Sequence, residues 1–219
     1  MPWWSWMSNG KSWAGPWRGN LRRPINQAVD STDFVARLLS VCEVDPESVA
    51  TAPVVLAIDT PLAFSSAFIE LLVQGRAVTS IEGSASNPYL FRHTERFLFE
   101  RGISPLSAVK DMIGSQATKG IHVLARFAPH IEACGIWSDL GRLRAIEAYP
   151  SACKKSSTMA TLQREYPEIG ALEHADQRDA LTCALLAWLF HYRPGDLAQP
   201  GPEAPLREGW IFVPADALP

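Results

Sequence analysis

Two apolar runs, each ending in an acid and followed closely by a proline, constrain this fold more than any other feature. Val54-Val55-Leu56-Ala57-Ile58 leads into Asp59 and then Thr60-Pro61-Leu62. Leu143-Arg144-Ala145-Ile146 leads into Glu147 and then Ala148-Tyr149-Pro150. The first, a continuous β-branched run stopped by a turn, reads as a strand buried on both faces, and Leu143 to Ala148 reads as a second buried strand. The first run follows an amphipathic helix, Phe34 to about Cys42, capped by Asp30-Ser31-Thr32-Asp33. A helix followed by such a strand points to an α/β sheet. A third acidic position opens the last long helix, where Asp176 and Asp179 precede the apolar stretch Ala180 to Phe190.

Carboxylates on separated segments converge only if the fold brings the segment ends together. Converging oxygens suit a hard cation, Mg²⁺ or Mn²⁺. Each acid also has an ordinary reading. Asp59 in a turn before Pro61 can bond its own backbone. Glu147 at a strand end can form an ion pair, with Arg142 or Arg144 as the nearest cations. Asp176 and Asp179 share nearly one helix face, and acids in a first turn stabilise a helix by capping and by its dipole. Asp179, directly before the apolar face, is the better placed to point at the sheet.

The net charge of −3 argues against a non-specific nucleic-acid coat protein, which would be basic. A local basic groove remains compatible. Six basic residues against three acids lie between Arg92 and Arg126. Phosphate contacts are expected there, from Arg92, Arg96, Ser115, Thr118 and Lys119. Gly114 to Gly120 could wrap an anion with backbone N–H groups, but it lacks the GxxxxGK[ST] order of a P-loop. A solvated helix face is the plainer reading. His122 and His130 have no partner at ligand spacing and read as structural. Cys42, Cys134, Cys153 and Cys183 show no CxxC pair and read as reduced core thiols. No apolar stretch reaches membrane-spanning length, and no secretory leader pattern opens the chain. A cytoplasmic protein, without membrane partners, is expected.

Residues 1–24 hold five of the eight tryptophans among Gly, Ser, Pro and Arg, without helical or strand period. They read as an irregular loop or a start-site remnant, with a base-stacking arm as the alternative. Residues 25–219 read as one domain. Helices are expected over 64–75, 94–101, much of 105–127, 159–166 and 176–192. Strand and loop are expected over 76–92, and a loop over 137–141. A Pro-rich linker is expected over 194–205. Gly209 to Pro214 reads as a terminal edge strand closed by Pro214.

Taken together, several motifs resemble the domain-of-unknown-function family 429. They are Ile58-Asp59-Thr60-Pro61-Leu62, Asn87 to Arg96, Ile113 to Gly120, Glu147-Ala148-Tyr149-Pro150, Asp179-Ala180 before a Cys/Ala-rich helix, and Glu208 to Pro214. The resemblance covers about residues 54–214. It implies an α/β, RNase H-like mixed sheet flanked by helices, and a predicted nuclease. It also implies a carboxylate cluster of Asp59, Glu147 and Asp179 that ligates Mg²⁺ or Mn²⁺ with Asp176 nearby. DNA or RNA would be the substrate. One departure stands out: no strand ending in Asp precedes residue 54. The N-terminal strands of that fold are therefore expected to be missing or replaced. The alternative function is a non-catalytic scaffold for nucleic acid or a protein partner. A sheet lacking those strands would expose an edge and favour a homodimer.

Overall fold

The computed structural model describes residues 2–3, 17–81, 83–165, 172 and 174–219. The bulk of the Trp-rich stretch, residues 4–16, and the end of the helix expected at 166 lie outside that set. Pro2–Trp3 (β1) and Trp17–Arg18 (β2) form a short antiparallel pair. Among the described residues, all other strands belong to one mixed sheet of five. They are Val54–Ile58 (β3), His130–Ala133 (β4), Ile136–Ser138 (β5), Leu143–Ala148 (β6) and Ile211–Phe212 (β7).

β6 is the central strand. β3 runs parallel beside it, with Ile58 opposite Glu147. β5 pairs antiparallel with Arg144–Ile146, and β7 pairs parallel with Glu147 and Ala148. The run that forms β3 reads from sequence as a strand buried on both faces. Among the described residues it pairs with β6 alone, and only Leu56 and Ile58 are buried within it. The apolar run is real, but pairing on one side leaves it at the sheet edge.

The pleat sorts side chains between two cores. Leu56 and Ile58 of β3 and Leu143 and Ala145 of β6 face a cluster with Phe34, Val35, Leu39, Val123, Leu124 and Phe127. Those residues belong to Ser31–Val41 (α2) and Gly114–Phe127 (α5); the short helix Arg22–Gln27 (α1) precedes α2. Val55 and Ala57 of β3 and Ile146 and Ala148 of β6 face the opposite cluster, with Met159, Leu162 and Leu181 to Leu189. In chain order, Ser66–Gln74 (α3) and His93–Phe99 (α4) lie between β3 and α5, and Ser157–Glu165 (α6) and Ala175–Tyr192 (α7) follow β6. Helices thus cover both faces of a mixed sheet, which places the chain in the α/β class. No helix among the described residues is long and apolar enough to cross a membrane.

Several local expectations are corrected. Residues 105–113 contain no helix, and α5 runs unbroken through Gly120. Trp137, expected in a loop, lies in β5. The β4–β5 hairpin turns at Gly135, whose φ of 79° suits glycine. Residues 76–81 and 83–92 contain no strand. The Pro-rich 194–205 segment is an ordered strap rather than a linker: Leu197 and Ala198 are buried, and Ala198 N–H donates to Val213 at 2.9 Å. That strap covers the outer side of β7.

Candidate functional site

Asp59 follows β3 directly, so it stands at the carboxyl end of a strand, where open α/β sheets bind ligands. Alternation along β3 puts it in phase with Val55 and Ala57, on the α7 side. α7 packs across β3 and brings Asp179 and Asp176 to the same end. A cleft of about 760 Å³ runs along β3 between α2 and α7. Asp59, Asp176, Asp179 and Glu147 line one end, while Val35, Leu39, Ala184 and Trp188 line the apolar remainder.

Asp59 keeps exposed surface, yet it sits in a concave, acid-lined setting. Desolvation, then the charges of Asp179 and Glu147, push its carboxyl up to about 6 from an ordinary 3.8. Among the described residues no cation is within ion-pairing distance of Asp59 or Asp179. The neighbouring Thr60 is 5 % exposed, and its Oγ1 has no hydrogen-bond partner. A buried hydroxyl left unpaired costs about 1–3 kcal/mol. An oxygen-seeking cation would answer the paired carboxylates of Asp59 and Asp179.

Glu147 is arranged differently. In register with Ile58, it is in phase with Leu143 and Ala145 and belongs to the α5 side of the sheet. It is 2 % exposed and meets the equally buried Arg92 through two bonds. Arg92 Nη2 donates to Glu147 Oε1 at 2.6 Å, and Nη1 to Oε2 at 2.8 Å. Leu62 N–H donates to the same Oε2 at 2.8 Å. Arg92 also donates Nε and Nη2 to Glu95 Oε1, at 3.0 and 2.9 Å. Burial opposes the Arg92 charge, but Glu147 and Glu95 outweigh it and raise its pKa. The ion pair of Glu147 is therefore made with Arg92, not with Arg142 or Arg144. This bridge fixes the Thr60–Leu62 turn and thereby the position of Asp59.

Arg92 faces inward, with its guanidinium engaged by Glu95, Glu147 and the Glu208 carbonyl. That removes it from the phosphate-binding set expected above. Arg96, Ser115, Thr118 and Lys119 do not line the cleft. Ser115, Thr118 and Lys119 are exposed on α5, whose leading residues Ile113 and Gln116 reach the cleft wall. Gly114 to Gly120 lies within this helix, so it cannot wrap an anion as a loop. Gly120 instead lets α5 press on the turn after Asp59: a Cβ there would meet Thr60 Cγ2 and Leu62 Cδ2 at 2.7 Å. His122 and His130 are exposed and away from the cleft. Cys42, Cys134, Cys153 and Cys183 form no disulfide. Burial pushes the thiols of Cys42 and Cys153 up to about 11 and about 12, and Cys134 is half-buried rather than in the core.

Two supporting residues escaped sequence reasoning. Glu95 accepts from Arg92 N–H at 2.7 Å, and its signal was a Glu three residues after a helix start. Glu208 caps two helices at once, accepting from Ser66 N–H at 2.8 Å and His93 N–H at 2.7 Å. No local signal pairs residue 208 with positions 66 and 93. Among the described residues, no three His, Cys, Asp or Glu side chains form a metal-holding group. Comparison of the chain with family models, curated proteins and solved structures gave no match.

Proposed function

We propose that this chain is a divalent-metal-dependent phosphodiester hydrolase, a nuclease of RNase H-like type acting on DNA or RNA. The observation that carries the reading is the pair Asp59 and Asp179, close enough to repel at a strand's carboxyl end and with no ion pair to either among the described residues. The resemblance to family 429 points the same way. Asp59 and Asp179 would hold Mg²⁺ or Mn²⁺, with Asp176 beside them. When bound, the ion supplies Lewis-acid polarisation of a phosphodiester and a more acidic water. Glu147 acts as a positioning residue, holding the Thr60–Leu62 turn through Leu62 N–H. Ser115 and Lys119, exposed on α5 outside the cleft lining, would be the phosphate contacts.

Protons compete with metal for Asp59, so affinity should rise steeply up to about pH 6 and level off above it. The test is Mn²⁺ titration calorimetry at pH 7.5 on the unaltered chain, Asp59→Asn and Asp179→Asn, followed by cleavage assays. Binding abolished by both substitutions supports the reading. Binding or cleavage unchanged in Asp59→Asn overturns it.

One observation favours a second reading, a non-catalytic scaffold that binds nucleic acid or a protein. Glu147 is already engaged by Arg92 and Leu62, which leaves two facing carboxylates where three were expected. An unaltered chain that binds no Mn²⁺ would select it.

A further inference from the structure

β3 is an edge strand, but its open side is recessed. Side chains alternate between the two faces of a strand, yet every residue from Val54 to Asp59 lines the same cleft. A cleft reached by both sets of side chains lies beside the strand, in the plane of the sheet. Val35 and Leu39 of α2 wall it on one face, and Ala184 and Ala187 of α7 wall it on the other. The space has the position of one further strand, about 20 Å long at roughly 3.3 Å per residue.

The backbone directions agree. Val54 N–H donates to the Arg142 carbonyl at 2.8 Å, and the parallel register sets Val54, Leu56 and Ile58 opposite Leu143, Ala145 and Glu147. Those three residues turn their N–H and C=O groups toward β6. Val55 and Ala57 turn theirs into the cleft, and among the described residues they meet no strand there. Both residues are half-buried, so their polar groups are shielded from water without a ladder partner.

We propose that the cleft takes an extended peptide segment of a partner protein, which adds as a strand to the open edge of β3. The segment is apolar and carries a Lys or Arg at the end beside Asp59. Two features select this occupant. Val55 and Ala57 present donors and acceptors at the two-residue repeat of a strand, which a peptide backbone matches. Asp59, Asp176 and Asp179 line one end of the cleft, and neither Asp59 nor Asp179 has an ion pair among the described residues. A second folded copy fits less well, because its own β3 is recessed between the same two helices. The alanines of α7 leave room for the incoming side chains. The inference goes beyond the metal reading and does not rest on it: β3, α2 and α7 build the cleft without an ion. Where metal binds, the basic side chain competes with it for Asp59 and Asp179, and the bound peptide closes the site.

The experiment starts with amide hydrogen exchange of the full chain, read residue by residue by NMR. In the free chain Val55 and Ala57 should exchange at least about tenfold faster than Leu56 and Ile58, which β6 holds. Random peptides of about seven residues, displayed on phage, are then selected on the full chain. Those enriched should be rich in Val, Ile or Thr and carry one Lys or Arg. A synthetic copy of the most enriched peptide should slow exchange at Val55 and Ala57 at least about tenfold. Replacing its basic residue with Gln should weaken binding to the unaltered chain, with a smaller loss against Asp59→Asn. Ala187→Trp, which fills the cleft from the α7 wall, should abolish peptide binding. Mn²⁺ calorimetry reads the metal site separately, so either reading can fail alone. Val55 and Ala57 amides already as slow as Leu56 in the free chain overturn the proposal. Slow exchange at every concentration would mean that the chain fills its own cleft, and slowing with rising concentration that a second copy does. A selection without enrichment, or a peptide that binds and leaves these two amides fast, overturns it as well.

Discussion

Replacing Asp59 with Asn should make the protein more stable at neutral pH. The carboxyl titrates near 6 in the folded chain and near 3.8 when unfolded. The folded state therefore holds its proton more tightly, and stability falls as pH rises from about 4 to about 6. Above that window the full penalty of a desolvated carboxylate, repelled by the charges of Asp179 and Glu147, is present. Taken at face value, two pKa units are about 3 kcal/mol. Asp59 keeps exposed surface, and solvent screening cuts this to about 1 kcal/mol. Asn has the same shape without the charge. Urea unfolding should give Asp59→Asn about 1 kcal/mol more stability at pH 7.5 and none at pH 4. Saturating Mn²⁺ should raise the unfolding midpoint of the unaltered chain and leave that of Asp59→Asn in place. A variant destabilised at pH 7.5, or a difference that does not shrink between pH 7.5 and 4, would refute the electrostatic account of this end of the cleft.

Arg92→Met should cost about 3–5 kcal/mol in urea unfolding, because it leaves Glu147 and Glu95 buried without their shared cation; a loss under about 1 kcal/mol would show that the bridge is dispensable. Gly120→Ala places a Cβ 2.7 Å from Thr60 and Leu62, and overpacking should outweigh the gain in helix propensity. The expected net loss is about 1–2 kcal/mol, with weaker Mn²⁺ binding because the Asp59 turn shifts; calorimetry would read both. Asp216 accepts from Ser156, Ser157 and Thr158 at the start of α6. Partial burial raises its pKa, but those bonds outweigh it and hold the carboxyl down to about 2. Asp216→Ala should cost about 1 kcal/mol at pH 7, and the difference should fade as pH drops from about 4 toward 2.

Local signals carried much of the chain. Asp30 caps α2 as its position implied, with its side chain accepting from Asp33 N–H at 2.8 Å. The acids after β3 and in β6 were legible because an apolar run stopped by a proline turn is a short-range pattern. The opening of α7 by Asp176 and Asp179 was legible for the same reason. What the sequence alone determined was therefore the α/β class and four acids at segment ends. Tertiary structure decided which of them meet. Strand order and register are hydrogen-bonding choices between residues some 90 positions apart, and they set β3 at an edge and β6 at the centre. The pleat then put Asp59 with Asp179 on the α7 face and Glu147 with Arg92 on the other. Arg92 reads as a surface cation in any local window. Only the convergence of β6, α4 and the Glu208 turn encloses it, and a buried guanidinium is tolerable because two carboxylates neutralise it there.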